Sequence, residues 1–245
     1  MLGVAAVVAA TGDSPREANP IASYTPQQPP DDHVRRVARR LGAADTTAKC
    51  GAVSRLTRQS LFRFRCPLPG KAREAVAGLK VVGSATYGPA AVVDYVSQDT
   101  PDGASAVLFA TRQLRWALSR FGLLNEPSTE SSDTDSRDEF DEAVDGYVSA
   151  VREGRCSQYD RYAVNAAEGD REAICADEFQ KTVELGEALG KNPGAEPEYL
   201  GGNERFGFYS LTFAKPQSAS VIVSVAKGST GRAAVLNFAP GPVPR

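Results

Sequence analysis

Two stretches organise this chain: CGAVSRLTRQSLFRFRC at residues 50–66 and CSQYDRYAVNAAEGDREAIC at residues 156–175. A cysteine bounds each stretch at both ends, and these four cysteines are the only ones in the sequence. The pairs enclose 15 and 18 residues, and the second stretch begins 106 residues after the first. This spacing predicts a duplicated domain with one disulfide in each copy, Cys50–Cys66 and Cys156–Cys175.

The cysteine pattern favours disulfides over metal or redox chemistry. The count is even, there is no C-x-x-C spacing, and the sole histidine, His33, is far in sequence from any cysteine. Disulfides persist in oxidising compartments, so the pattern predicts an exported, extracytoplasmic protein. We expect no cofactor and no metal, and we expect His33 to be exposed and without a role.

Length and charge indicate two domains of unlike character. The chain has 245 residues, of which 42% are hydrophobic and 24% charged, as in globular proteins. Residues 31–127 carry 15 basic and 8 acidic side chains, net +7, whereas residues 137–245 carry 12 and 17, net −5. The two halves could attract each other, or the first could face an anionic membrane surface, polyanion or acidic protein. The alternative is that the net charges of two solvated surfaces differ by chance.

The first 30 residues predict export and a spacer. LGVAAVVAA at 2–10 is a short apolar run of small residues, too short to span a bilayer. We interpret residues 1–11 as the remnant of a signal peptide or membrane anchor, with an ordinary chain end as the alternative. Residues 12–30 contain five prolines and predict an extended spacer that holds a folded body away from a membrane.

The rest of the chain predicts the same order of elements twice. Residues 31–125 read as three helices, near 31–41, 52–61 and 71–77, followed by four strands. An acidic Ser/Thr linker follows at 126–136, then a second body at 137–239 with the same order, and a tail at 240–245. The predicted strands are 80–86, 90–97, 104–111, 114–120, 198–201, 205–214, 219–227 and 232–238. Helices followed by an antiparallel meander predict an α+β fold, in which a curved sheet folds its apolar face around the helices.

The first predicted helix carries the most basic local feature. Arg35, Arg36, Arg39 and Arg40 lie opposite its apolar residues, which predicts either a solvated face or a surface that docks on lipid headgroups or an acidic protein. No aromatic residues alternate with these arginines, and this absence argues against binding of single-stranded nucleic acid.

In this order of elements the chain resembles a tandem of the nuclear-transport-factor-two-like superfamily, the cone-shaped cystatin-like α+β fold. The resemblance is carried by VSAVREGRC at 148–156, by RRLGAADTTAKC at 39–50 and by DGASAVLFATRQLRWALSR at 102–120, which is similar to the closing hairpin with its Trp-containing strand. It covers about 31–122 and 137–239. The second copy departs from the pattern because its last strand has no tryptophan.

The resemblance implies either of two functions. Many exported members are non-catalytic, and tandem copies behind an anchor resemble the extracytoplasmic part of conjugative-transfer channel proteins; this favours a bacterial cell-envelope protein that binds an envelope partner or assembles a complex. The alternative is a small-molecule-binding, isomerase-like or hydrolase-like domain that uses the cone pocket. Asp94 is the one weak catalytic candidate, because it alternates in phase with Val92 and Val96, while Tyr95 points to the other face. The alternatives for Asp94 are a rim position, an arginine partner such as Arg112 or Arg115, or a place on an edge strand. Tyr147, Tyr159 and Tyr162 are expected to be core or interface residues.

Overall fold

The described chain is an α+β protein with two antiparallel sheets and helices packed on them. The computed structural model describes residues 19–57, 66–124, 136–155, 183–215, 218–227 and 232–243. Each sheet has four strands in meander order, β1-β2-β3-β4 and β5-β6-β7-β8, and every neighbouring pair is antiparallel. In the first half the elements are α1 (Pro30–Ala43), α2 (Thr47–Ser54), α3 (Gly70–Ala77), β1 (Lys80–Tyr87), β2 (Ala90–Val96), β3 (Ala104–Ala110) and β4 (Trp116–Leu124).

The second half repeats the meander. Its described elements are α4 (Ser136–Arg152), α5 (Val183–Lys191), β5 (Glu198–Gly202), β6 (Phe206–Phe213), β7 (Ala219–Lys227) and β8 (Ala233–Pro240). All eight predicted strands are confirmed, with bounds that shift by up to four residues. None of the helices in the described ranges is both long enough and apolar enough to cross a membrane.

Each sheet packs one face against helices. In the first half the core includes Val34, Val37 and Leu41 of α1 and alternate residues of β2 and β3. In the second half α4 buries the residues that its spacing predicts, and these are Phe140, Val144, Tyr147, Val148 and Val151. Burial of these apolar side chains removes their surface from water and supplies the main stabilisation of each helix–sheet pair.

The opposite faces of the two sheets pack against each other. Val92 and Phe109 of the first sheet share a buried cluster with Phe206, Phe208 and further residues of the second. The strands alternate between the two cores, because successive side chains of a strand point to opposite faces. The described elements therefore form four layers in the order helix, sheet, sheet, helix.

The segment before α1 is packed on this body, so the prediction of an extended spacer is wrong for residues 19–30. Ile21 is fully buried between the sheets, and the Asn19 amide donates to Ser210 Oγ at 2.8 Å. At the other end of the segment, the Trp116 indole donates to the Gln28 carbonyl at 2.6 Å. Trp116 is a buried core anchor, as the sequence predicts. The prolines shape a path along the surface of the fold rather than a spacer away from it.

The second helix also lies earlier than the predicted 52–61. It spans Thr47–Ser54, and the Thr46 side chain accepts from the Lys49 amide at its start. A threonine in this position caps the free amides of a helix, and this local signal competes with the apolar pattern further along. Residues 58–65 lie outside the described chain.

The first predicted disulfide is present. Cys50 and Cys66 are bonded, and their Cα atoms lie 5.9 Å apart, within the ordinary range. The bridge joins α2 to the segment before α3, and both cysteines pack against the first helix–sheet core. The predicted pair Cys156–Cys175 lies outside the described residues, as do most of the predicted linker and residues 1–18.

His33 is buried, so the prediction that it is exposed is wrong. It lies within α1, and its side chain is directed inward with the apolar positions of the helix, where it is 3% exposed. Its Nε2 lies 2.9 Å from the Leu56 carbonyl oxygen, an acceptor, so this nitrogen carries the proton and donates. Burial lowers the pKa of His33 most strongly, the Leu56 hydrogen bond opposes that effect, and the nearby Arg36 charge lowers the pKa further.

We expect this histidine to make the fold sensitive to mild acid. A folded-state pKa below the ordinary 6.5 means that the unfolded chain binds the proton more readily. Stability should therefore be constant above pH 6.5 and fall as the pH drops below it, by at most about 1.4 kcal/mol per pH unit from this residue. Urea unfolding at pH 7.5, 6.5 and 5.5 measures the effect. The variant His33→Gln should show a smaller slope between pH 6.5 and 5.5, and an unchanged slope would contradict the assignment.

Candidate functional site: an arginine groove beside the first helix

An open groove of about 620 Å³ lies between α1 and the junction of α3 with β1. We call it the arginine groove, and its lining residues are Asp32, Arg35, Arg36, Ala38, Arg39, Ala77 and Leu79. Three guanidinium groups thus share one concave surface with short apolar side chains. Such a surface suits a ligand that carries several negative charges on an otherwise apolar or extended framework.

The four predicted arginines differ in the groups that they contact. Arg35 pairs with Asp31 at 3.2 Å and lies 3.9 Å from Asp32, so part of its charge is compensated. Arg40 does not line the groove, because it donates to the Ala52 carbonyl of α2 at 3.4 Å.

Two arginines of the groove have no ion-pair partner among the described residues. Arg39 donates Nε to the Arg35 carbonyl at 3.4 Å, which orients its guanidinium along the helix without neutralising it. Arg36 has no ion-pair partner in the described part of the chain and is half-buried. In the described part of the groove, Arg36 and Arg39 are therefore the arginines that no carboxylate pairs with.

Close packing of α1 on α3 sets the width of the groove. A Cβ atom placed on Gly42 would lie 2.7 Å from the Ala77 Cβ and 3.2 Å from the Arg73 carbonyl oxygen. Glycine at this position lets the two helices approach, and Ala77 thereby reaches the arginines. The apolar pattern of α1 predicts its buried face but does not reveal this contact, since Gly42 and Ala77 are distant in sequence.

We expect Gly42→Ala to destabilise the protein although alanine is the better helix former. The gain in helix propensity is about 0.5–1 kcal/mol. The overlap with Ala77 should cost more, with a net loss of about 1–3 kcal/mol. Gly51→Ala in α2 is the matched control, because a Cβ there meets nothing within 4 Å and should stabilise. Thermal unfolding of both variants measures the difference, and equal shifts would contradict close packing at Gly42.

The helix layer of the second half carries the opposite charge. Asp138, Glu142 and Asp145 are exposed on α4 at i, i+4 and i+7, so they form one stripe along the helix. We call these three residues the acidic stripe, and none of them has an ion-pair partner among the described residues. Burial raises the pKa of Asp145, and the neighbouring Asp141 and Glu196 carboxylates raise it further. The stripe thus concentrates three carboxylates that have no ion-pair partner in the described ranges.

A tyrosine pair lies beside the acidic stripe, and the sequence pattern did not reveal it. The Tyr209 hydroxyl donates to Asp141 Oδ1 at 2.6 Å, and its ring centroid lies 5.2 Å from that of Tyr199. Arg137 lies 4.9 Å from the centre of the Tyr199 ring and 3.7 Å from Asp141 Oδ2. Burial and the Asp141 contact hold the pKa of Tyr209 far above its usual range, so its hydroxyl stays protonated and acts as a donor. Alternation in β6 points Tyr209 inward, but only the fold shows its carboxylate partner.

Asp94 lies on the sheet face turned away from the helices. Its strand neighbour Val92 belongs to the core between the sheets, and Tyr95 packs on the helix side, where its ring centroid is 4.7 Å from that of Phe121. Ser105 Oγ donates to Asp94 Oδ1 at 2.5 Å. The carboxylate is therefore a half-buried, hydrogen-bonded group at the margin of the sheet interface, away from the helix–sheet space in which a cone pocket would lie.

The remaining candidates do not add to the groove. Tyr147 is a core residue of the second half, as predicted, and Tyr159 and Tyr162 lie outside the described residues. No three His, Cys, Asp or Glu side chains of the described ranges are grouped to hold a metal ion. Arginine side chains on a concave surface are chemically suited to bind carboxylate or phosphate. A comparison with protein-family models matches no family, and a comparison with curated proteins gives no match.

Proposed function

We propose that this protein is a non-catalytic component of the cell envelope, exported or membrane-anchored, which binds an acidic protein partner through the arginine groove. Its two halves serve as assembly domains of a larger complex, in the manner of the conjugative-transfer channel proteins that its order of elements resembles. We propose in addition that each half has the cone-shaped form of that superfamily.

The observation that carries the proposal is the pair of uncompensated arginines in a concave site. Guanidinium groups bind carboxylates through two parallel hydrogen bonds, and an apolar wall beside them excludes water and strengthens the attraction. Ala77 and Leu79 supply such a wall next to Arg36 and Arg39. A site of this kind favours a chain of carboxylates over a neutral ligand.

Two further features support the proposal. Apolar side chains fill the contact between helices and sheet in both halves, and this filling favours an assembly role over a ligand-holding cone. The Cys50–Cys66 disulfide is typical of proteins outside the reducing cytoplasm.

Binding of a fluorescein-labelled hexaglutamate peptide to the full chain tests the groove. We expect fluorescence anisotropy to show binding that weakens as salt is added, and Arg36→Glu with Arg39→Glu should weaken it by at least about tenfold. Arg112→Glu with Arg115→Glu is the matched control, because both arginines are exposed in the β3–β4 turn and the charge change is equal. Equal weakening in both double variants would overturn the groove as the site.

Cell fractionation tests the compartment. The native protein should be found in the envelope or outside the cell, and alkylation without reduction should leave Cys50 and Cys66 unmodified. A cytoplasmic protein with four alkylated thiols would overturn the proposal.

A further inference from the structure

We infer that the acidic partner of the arginine groove is the acidic stripe on α4 of a second copy of this chain, so that copies associate head to tail. The inference rests on the proposed function, because it names the protein that the groove binds. Two observations support it: the two helix surfaces carry opposite charge, and they lie on opposite sides of the four-layer fold.

The two surfaces are opposite in sign, and each lies along one helix. The acidic stripe spans eight residues of helix, from Asp138 to Asp145, roughly 10 Å at the usual rise. Arg35, Arg36 and Arg39 cover a little over one turn of α1, with the apolar wall beside them. The carboxylates of the stripe lie four and three residues apart, a spacing that places like charges side by side and disfavours the isolated surface. Approach of guanidinium groups would relieve this repulsion.

The two surfaces of one molecule cannot reach each other. α1 packs on the outer face of the first sheet, and α4 packs on the outer face of the second. Both sheets lie between them, since their inner faces form the shared cluster around Phe208. With layers spaced about 10 Å apart, the two helix axes are separated by roughly 30 Å. Within the described part of one molecule, neither surface can therefore neutralise the other.

The opposite location of the surfaces favours a head-to-tail arrangement over a symmetric pair. A twofold contact of groove with groove would bring Arg36 and Arg39 against the same arginines of the second copy. A twofold contact of stripe with stripe would bring carboxylates against carboxylates. Like charges at close range oppose both arrangements. A contact of groove with stripe uses two different surfaces and leaves one of each free, so it propagates into a ring or an open row.

Charge reversal on each surface tests the inference in the full chain. Wild-type protein should associate with rising concentration at 50 mM salt, as measured by sedimentation velocity, and dissociate at 500 mM. Arg36→Glu with Arg39→Glu reverses the groove, and Glu142→Lys with Asp145→Lys reverses the stripe; each double variant alone should be monomeric at concentrations where the wild type associates. An equal mixture of the two should associate again, because each reversed surface then meets its complement. Arg112→Glu with Arg115→Glu should associate as the wild type does.

The outcomes separate this inference from the proposed function. A wild-type monomer at 50 mM salt that still binds hexaglutamate overturns the second copy as partner and leaves the groove as a site for another acidic protein. A monomer that binds vesicles of phosphatidylglycerol, but not hexaglutamate, overturns both in favour of a membrane surface. Association that survives reversal of either surface, with circular dichroism showing a folded variant, places the contact elsewhere and overturns the inference.

Discussion

Replacing Phe208 by alanine is expected to lower the free energy of unfolding by about 3–5 kcal/mol. Phe208 is fully buried between the sheets, and its ring centroid lies 5.4 Å from that of Tyr87 and 6.4 Å from that of Phe109, both from the first sheet. Its truncation removes these aromatic contacts and leaves a cavity at the centre of the sheet interface. Urea unfolding followed by Trp116 fluorescence, which reports on the first half, measures the loss.

The same variant shows whether the two halves unfold together. Trp116 lies in the first half and Phe208 in the second, so a shift in the tryptophan signal reports coupling across the interface. Val82→Ala is the control, because Val82 is 64% exposed and its truncation should change stability by no more than about 0.5 kcal/mol. A Phe208→Ala protein whose Trp116 transition is unchanged would contradict a shared core and would indicate independent domains.

Removal of the disulfide by Cys50→Ala with Cys66→Ala should cost about 3 kcal/mol. The bond closes a loop with a sequence separation of 16 residues, and its loss lets the unfolded chain explore more conformations. Alanine is preferred to serine here because Cys50 is buried, and a hydroxyl would add the cost of an unpaired polar group. Chemical unfolding of the unreduced protein measures the change in midpoint.

The second cysteine pair offers the matched comparison. The sequence predicts that Cys156→Ala with Cys175→Ala loses a similar amount, since the loop is of similar length. Mass analysis of unreduced peptides checks the pairing directly. A bond between Cys50 and Cys156 would contradict the first disulfide and the duplication together.

Local features explain why the strands were predictable. Gly88, with φ of 59°, and Gly103, with φ of 98°, occupy turns that the sequence marks by Gly-Pro and Asp-Gly pairs. Between such turns, alternation of side chains assigns one face to each core. These signals act over a few residues and do not depend on the rest of the chain.

The candidate site was only partly predictable, for a physical reason. The sequence reveals four arginines on one helix, but the pairing of Arg35 with Asp31, the diversion of Arg40 to α2 and the contact of Gly42 with Ala77 decide which of them remain available. The partnership of Tyr209 with Asp141 joins residues 68 positions apart. Contacts at that separation depend on how helices and sheets are placed, and no local pattern encodes them.

The sequence alone thus determined the α+β class, the eight strands and the buried face of α4, because propensity, periodicity and turn chemistry act within short segments. The repeated cysteine spacing determined the Cys50–Cys66 pair. Only the tertiary structure decided that the sheets pack on each other, that Ile21 lies between them and that His33 is buried. Both faces of β2 and β6 are apolar, and the sequence cannot say which neighbour covers the second face. The sheet of the other half covers that face and removes it from water. This packing places the basic and acidic helix surfaces on opposite sides of the molecule.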